Sequence, residues 1–127
     1  MRFKLSRRSL SRLEGVHPDL VAVVKRAIEI TPIDFVVLEG LRTPEKQAEL
    51  YRSGASKTLN SRHLTGHAVD LGVWHDGTVS WHWPHYDVLA EAVKDAARGL
   101  GIPVQWGGDW RWRDGPHWEL TWRAYPA

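Results

Sequence analysis

The chain of 127 residues contains no cysteine. This absence excludes a disulfide scaffold, a thiolate nucleophile and every cysteine-based zinc or iron–sulfur site. Long apolar runs are also missing, because the longest, at 20–24 and 35–38, fall far short of the roughly 20 residues that a membrane-spanning helix needs. Seventeen basic and fifteen acidic side chains leave a net charge of +2, so charge alone does not indicate a nucleic-acid or membrane partner.

A secretory signal peptide is not expected. Residues 1–10 are basic, but Arg12 and Glu14 follow where the apolar segment of a signal peptide would lie. We therefore expect synthesis as a soluble cytoplasmic protein without stable membrane insertion. The length fits one domain, which we place at 1–127.

Periodicity and turn residues predict an α+β domain. A short helical turn is expected after Ser6, and longer helices are predicted at 18–30, from Thr43 to about residue 54, and at 86–100. The predicted strands are 34–41, 67–74, 78–81, 102–106 and 118–122. This order predicts a small single domain with about three helices packed on a largely antiparallel sheet.

Eight tryptophans and seven histidines are unusually many for this length. Tryptophan serves either as an amphipathic filler of the core or in contact with ligands, and composition leaves both readings open. The histidines carry more information. Without cysteine, a zinc ion would have to be held by histidine and carboxylate side chains.

Three residues form a candidate metal site: His63, Asp70 and His117. Gly66 allows a tight bend between the first two, so that a loop histidine and a strand aspartate can converge. Two histidines and one carboxylate leave the fourth position of a tetrahedral zinc for water, which is typical of catalytic sites. Bound zinc lowers the pKa of that water and polarises a carbonyl. The alternative is that these are ordinary surface or core histidines and that Asp70 is a turn or strand residue.

His67 is a further histidine of this region. Its spacing of four from His63 is that of a helical zinc pair, but the glutamate of the H-E-x-x-H motif is absent and Gly66 disfavours a helix. We interpret His67 as a residue at the start of a strand, near the site.

These residues belong to a longer motif with a known counterpart. It reads Ser61-x-His63-x-x-Gly66-x-Ala68-x-Asp70, followed downstream by Asp114-x-x-His117. The motif resembles the zinc peptidases of the D-alanyl-D-alanine carboxypeptidase (VanY-like) family, and most of all its phage endolysins, which are L-alanyl-D-glutamate endopeptidases. Segments 40–43, 107–110 and 117–120 extend the resemblance over nearly the whole chain. It implies a hedgehog/DD-peptidase-like fold.

The resemblance implies a role for each matched residue. His63, Asp70 and His117 would hold one zinc ion (Zn2+) per chain. Asp114 would be the general base, and Arg42 would bind a substrate carboxylate or the developing oxyanion. From the residues alone, a turn residue is the favoured interpretation of Asp114, and a solvated residue before a helix is that of Arg42.

Further side chains are predicted near the substrate. The predicted substrate contacts are Ser61, Gln47, His67 and Trp118, and Trp110 and Trp112 are also expected to line the cleft. For Ser61 the alternative is to order its loop, and for Gln47 a solvated helix face. Glu119 shares the side of a strand with His117. It would therefore orient that ligand or compete with Asp114 as the base.

The function implied by the resemblance is zinc-dependent hydrolysis of the L-Ala-D-Glu amide in peptidoglycan stem peptides. A D-Ala-D-Ala carboxypeptidase and a non-catalytic, zinc-stabilised cell-wall-binding module are the alternatives. We expect a monomeric, bacteriolytic phage enzyme without a separate cell-wall-binding domain, acting on the wall after release by a holin-like partner. The basic residues within 2–12 would assist approach to anionic wall polymers.

Nucleic-acid binding is a weaker hypothesis. The segment 110–113 alternates tryptophan and arginine, as single-strand binders do. Acidic residues, however, are scattered through the chain, and the basic excess is concentrated near the N-terminus. We therefore expect no nucleic-acid partner.

Overall fold

Five strands form one antiparallel sheet in the computed structural model of the chain, which describes residues 3–126. The strands are β1 (Phe35–Glu39), β2 (Ala68–His75), β3 (Thr78–Ser80), β4 (Val104–Trp106) and β5 (His117–Leu120). The central strand is β2: it pairs with β1 on one edge, and with β5 and then β3 on the other. Strand β4 pairs with the outer edge of β5.

The helices and short turns lie around this sheet. They are α1 (Arg7–Arg12), α2 (Pro18–Ile30), α3 (Pro44–Arg52), α4 (Trp83–Leu100) and the 3-10 turns Arg62–Thr65 and Gly107–Asp109. Helices α2 and α4 pack against each other and bury their apolar stripes, which include Leu20, Val24, Leu89 and Val93. An apolar stripe at helical spacing is stabilised by such burial.

The α+β class and the antiparallel sheet are confirmed, and the short helix after Ser6 brings the number of α-helices within residues 3–126 to four. The Ser6 hydroxyl accepts a hydrogen bond from the Ser9 amide at 3.1 Å and so caps α1. Helix α4 begins at Trp83, earlier than the predicted Tyr86. Pro84 explains this difference, because proline is favoured in the first turn of a helix.

The two faces of β2 differ in character. Val69, Leu71 and Val73 are fully buried in the core that α2 and α4 cover. Asp70 and Trp74 alternate with them and therefore point to the opposite face, which those helices do not cover. The candidate metal site lies on this second face. Within residues 3–126, no helix combines the length and the apolar character that crossing a membrane requires.

Candidate metal centre and active site

The 3-10 turn Arg62–Thr65 places His63. The Ser61 hydroxyl accepts a hydrogen bond from the His63 amide at 3.2 Å and so caps the turn. Gly66 ends the turn in the left-handed conformation, with φ of 76°. A Cβ at Gly66 would lie 2.4 Å from the Gly15 carbonyl oxygen, so only glycine fits this position. The imidazole of His63 is buried as a result.

Strand pairing places the other two candidate ligands. Asp70 of β2 and His117 of β5 are directly opposite each other in the antiparallel register, so their side chains share one face. The Asp70 Oδ1 atom lies 3.2 Å from His63 Nε2 and 3.2 Å from His117 Nδ1. One ligand atom from each residue lies within 4.8 Å of the others.

The hydrogen bond of the His63 imidazole favours a cation between the three candidate ligands. His63 Nδ1 lies 2.8 Å from the Gly40 carbonyl oxygen, which can only accept, so Nδ1 carries the hydrogen. In the neutral ring, Nε2 then directs a lone pair at the Asp70 carboxylate, and two acceptors face each other unless a positive ion lies between them. Ligands of a tetrahedral zinc ion lie about 3.4 Å apart, close to the two distances observed.

His117 is oriented in the same manner by Glu119. Its Nε2 atom lies 2.8 Å from Glu119 Oε1, which leaves Nδ1 facing Asp70. Metal-ligating histidines usually pair their outer nitrogen with a carbonyl or a carboxylate, and His63 and His117 have one partner of each kind. The residues present therefore fit a metal ion bound by His63, Asp70 and His117.

The electrostatics of the metal-free site reflect these contacts. Burial alone would raise the pKa of Asp70, but its contacts with His117 and His63 hold it well below its ordinary range. Burial alone would lower the pKa of His117, but hydrogen bonds to Asp70 and Glu119 raise it to about 9. The cluster therefore holds an ionised carboxylate and a positive charge at neutral pH.

Asp114 lies in the same cleft, which encloses about 470 Å³ in front of the candidate ligands. Its backbone amide donates to the Gly107 carbonyl at 2.9 Å, and its own carbonyl accepts from the His117 amide at 3.3 Å. Burial raises the pKa of Asp114, and the negative charge of Asp70 raises it further. The positive charges of His117, His63 and Arg42 act in the opposite direction but do not cancel the increase. A carboxylate with this environment is suited to taking up and returning a proton.

Arg42 also lines the cleft, and two side chains hold its guanidinium. Arg42 Nε donates to Glu39 Oε1 at 3.1 Å, and Nη1 donates to Gln47 Oε1 at 2.7 Å. Gln47 is only 1% exposed, and its amide nitrogen donates to the Thr58 carbonyl at 2.6 Å and the Ser56 hydroxyl at 2.9 Å. Gln47 is a predicted substrate contact, but in the structure it fixes Arg42 and the loop after α3.

The other predicted substrate contacts have different places. Ser61 lines the cleft, although its hydroxyl caps the turn of His63. His67 is not among the residues that line the cleft; its ring lies 5.6 Å from that of His17. Trp118 is 1% exposed and stacks on Trp106 in the core, so it does not reach the cleft. The alternation of β5 explains this, since Trp118 points away from its neighbours on the cleft face.

Sequence reasoning missed one residue of the site and one contact within it. Glu39 holds Arg42, and its spacing of three from that arginine was the available signal. Trp110 lines the cleft as expected, and its ring lies 5.0 Å from that of His117, a contact that limits how far the imidazole can move. No sequence signal pairs Trp110 with His117, because the loop between them determines the contact.

Comparison with known proteins decides the family. A family model described as phage L-alanyl-D-glutamate peptidase matches residues 1–123. The chain belongs to this family. Membership makes it a peptidase, in agreement with a cleft that combines candidate metal ligands, the carboxylate of Asp114 and a fixed guanidinium.

Individual members are similar over most of their length. The crystal structure of the Serratia marcescens L-Ala D-Glu endopeptidase ChiX has a TM-score of 0.93 and 52% sequence identity, covering 100% of this chain and 95% of that one. The L-alanyl-D-glutamate peptidase of Escherichia phage T5 is 31% identical over 98% of this chain and 94% of its own. The Bacillus subtilis peptidoglycan L-alanyl-D-glutamate endopeptidase CwlK is 34% identical over 76% of this chain and 66% of its own.

Proposed function

We propose that this chain hydrolyses the L-Ala–D-Glu amide bond of peptidoglycan stem peptides, with one zinc ion held by His63, Asp70 and His117. The observation that carries the proposal is that Asp114 and Arg42 line the same cleft as the three candidate ligands. Family membership supplies the choice of scissile bond. That the enzyme acts as a monomer, and reaches the wall with a holin-like partner, stays a prediction.

The donor set supports zinc as the metal. Two imidazoles and one carboxylate are ligands that zinc prefers, and three protein ligands are typical of its catalytic sites. When bound, zinc supplies Lewis-acid chemistry, which polarises a carbonyl and makes water a better nucleophile near neutral pH. Gly40 and Glu119 orient the two imidazoles so that the other nitrogen of each faces Asp70, where the ion would be held.

Asp114 acts as the general base and then as the general acid. Its carboxylate takes a proton from the water whose oxygen attacks the carbonyl carbon of L-Ala. As the C–N bond breaks, the same proton passes to the amine of D-Glu, which leaves as a new N-terminus. The raised pKa of Asp114 favours this uptake and return of the proton.

Arg42 stabilises negative charge in the same step. Because Glu39 and Gln47 fix its guanidinium, it needs little rearrangement to face the oxygen of the scissile carbonyl or a carboxylate of the stem peptide. The pairing with Glu39 also offsets part of its charge. That offset favours an endopeptidase over a carboxypeptidase, which must hold a full terminal carboxylate.

Mass spectrometry of the peptides released from purified peptidoglycan tests the scissile bond. We expect fragments with a new N-terminal D-Glu, and none after treatment with a chelator. Loss of terminal D-Ala alone would identify the carboxypeptidase instead. Zinc binding without any hydrolysis would identify a non-catalytic wall-binding module.

The role of Asp114 is tested with Asp114→Asn. We expect hydrolysis to fall about 10²–10⁴-fold while the zinc content stays near one per chain, because the side chain moves a proton without holding the ion. Asp109→Asn is the matched control, since Asp109 lies in the same loop but pairs with Lys94 on the surface. Full activity of Asp114→Asn would overturn the assignment.

A further inference from the structure

A second groove, of about 440 Å³, lies between the N-terminal segment with α1 and the sheet. Its residues do not include any of the candidate metal ligands, Asp114 or Arg42. Helix α1 lies along the free edge of β1, where the Ser9 hydroxyl accepts a hydrogen bond from the Val37 amide at 3.0 Å. This contact leaves the outward face of the sheet beside α1 open.

The floor of the groove is apolar. It is formed by Val36, Leu38, Trp74 and Val79. Trp74 and Val79 are opposite each other in the register of β2 and β3, and Trp74 is 39% exposed. Gly72 provides room for Leu38, because a Cβ there would lie 2.9 Å from the leucine side chain. Covering this exposed indole and its aliphatic neighbours with a binding partner would be favourable, because apolar surface would be removed from water.

The rim of the groove is cationic. Lys4, Arg8 and Arg12 line it, and Arg8 and Arg12 are four residues apart on one side of α1. Within residues 3–126, none of these three cations forms an ion pair, although Arg12 donates to the Val37 carbonyl at 3.0 Å. Asp34 is the one acidic residue among those that line the groove, and its carboxylate accepts from the Phe35 amide at 2.8 Å.

We propose that this groove docks the protein on a membrane surface of anionic phospholipid. Phosphate headgroups pair with Lys4 and Arg8, while acyl or glycerol carbon contacts the floor around Trp74. A cationic rim alone would suit any polyanion, including a wall polymer. The apolar floor between the cations favours an amphiphile, since a phosphate polymer has nothing to place there.

Vesicle co-sedimentation tests the proposal. The full chain is mixed with vesicles of phosphatidylglycerol or of phosphatidylcholine alone, at low and at physiological salt. We expect binding to phosphatidylglycerol vesicles, weakened by salt, and little binding to phosphatidylcholine. Soluble polyphosphate at the same phosphate concentration should displace the protein only partly, because it cannot cover the floor.

Paired variants locate the surface. Lys4→Glu with Arg8→Glu should weaken binding by about 30-fold or more, given the contribution of each cation near such a surface. Lys25→Glu with Arg123→Glu changes the net charge equally at exposed positions outside the groove and should bind as the unchanged protein does. Trp74→Ser should weaken binding to the vesicles more than the control Trp81→Ser does. Trp81 is a more exposed indole that does not line the groove.

Three outcomes would overturn the proposal. These are equal binding to both kinds of vesicle, equal losses in the two charge-reversed pairs, and complete displacement by polyphosphate. The last would identify a polyanion site instead. Hydrolysis of a soluble stem peptide should stay unchanged in all four variants, since none touches the cleft, so this test is independent of the proposed enzymatic function.

Discussion

Glu119 Oε1 and His117 Nε2 lie 2.8 Å apart, two residues apart on the same strand and on the same face of it. Both side chains are buried. The carboxylate therefore determines which nitrogen of His117 faces Asp70. Of the two roles open to Glu119 from the sequence, this contact supports orienting the ligand, while Asp114 remains free to act on substrate.

Removing this contact should weaken metal binding. We expect Glu119→Ala to lower zinc affinity about 10–100-fold, because His117 loses the partner that orients its ring. Competition with a chromophoric chelator measures the affinity directly, without reference to catalysis. Glu119→Gln is the control, since its amide oxygen can still accept from Nε2 and should retain most of the affinity. Unchanged affinity in Glu119→Ala would contradict an orienting role.

Metal binding should release protons at neutral pH. In the metal-free protein, hydrogen bonds to Asp70 and Glu119 outweigh burial and raise the pKa of His117 to about 9, so Nδ1 carries a proton at pH 7. A metal ion must displace that proton. Apparent zinc affinity should therefore rise as the pH increases toward 9 and then level off. Calorimetry in two buffers with different ionisation enthalpies counts the released protons, and a count of zero at pH 7 would contradict this prediction.

Gln47 should act through Arg42 and the loop after α3. In Gln47→Met, which keeps the size of the side chain, Arg42 Nη1 loses its acceptor and retains only the contacts with Glu39, and the Thr58 carbonyl retains only the Ser56 hydroxyl as a donor. We expect a loss of about 1–3 kcal/mol in the free energy of unfolding for a buried group left unpaired, and slower hydrolysis because the guanidinium is no longer fixed. Chemical denaturation and steady-state rates measure the two effects.

The variant Gln47→Glu separates the effect on hydrolysis from the effect on stability. Gln47→Glu still accepts from Arg42 but cannot donate to the Thr58 carbonyl. It should recover much of the rate lost in Gln47→Met while remaining destabilised. Equal rates in the two variants would show that the contact with Arg42 does not matter for hydrolysis.

The sequence was sufficient to predict most of the fold and the candidate ligands. Strands and helices followed from local patterns, and the bounds of α2 agree with those predicted. His63, Asp70 and His117 converge as expected because Gly66 and the pairing of β2 with β5 bring them together. Local patterns and one motif sufficed for these features.

Contacts between distant segments were the part that sequence reasoning could not supply. The partner of the Gln47 amide nitrogen, Thr58, lies in a loop without regular structure, so no periodicity predicts it. The burial of Trp118, in contrast, could have been predicted from the alternation of side chains along β5. If His117 faces the cleft, its neighbour on a strand must face the core, and the tryptophan is buried there as an amphipathic filler.

Two glycines should respond to alanine in opposite directions. Gly66 has a φ of 76°, and an added Cβ would lie 2.4 Å from the Gly15 carbonyl oxygen. Gly66→Ala should therefore lower the free energy of unfolding by more than the roughly 1–3 kcal/mol expected for an unfavourable backbone conformation alone, because backbone atoms must also move. Since Gly66 ends the turn that carries His63, zinc affinity should fall as well.

Gly99 provides the matched comparison within a helix. It lies in the last turn of α4, where an added Cβ meets no atom within 4 Å. Gly99→Ala should raise the free energy of unfolding by about 0.5–1 kcal/mol and leave zinc affinity unchanged, because alanine loses less backbone entropy on folding. Thermal unfolding of both variants, with zinc and with chelator, measures these effects. If chelator removed the difference between Gly66→Ala and the unchanged protein, the substitution would act on metal binding alone, and the clash with Gly15 would not limit folding.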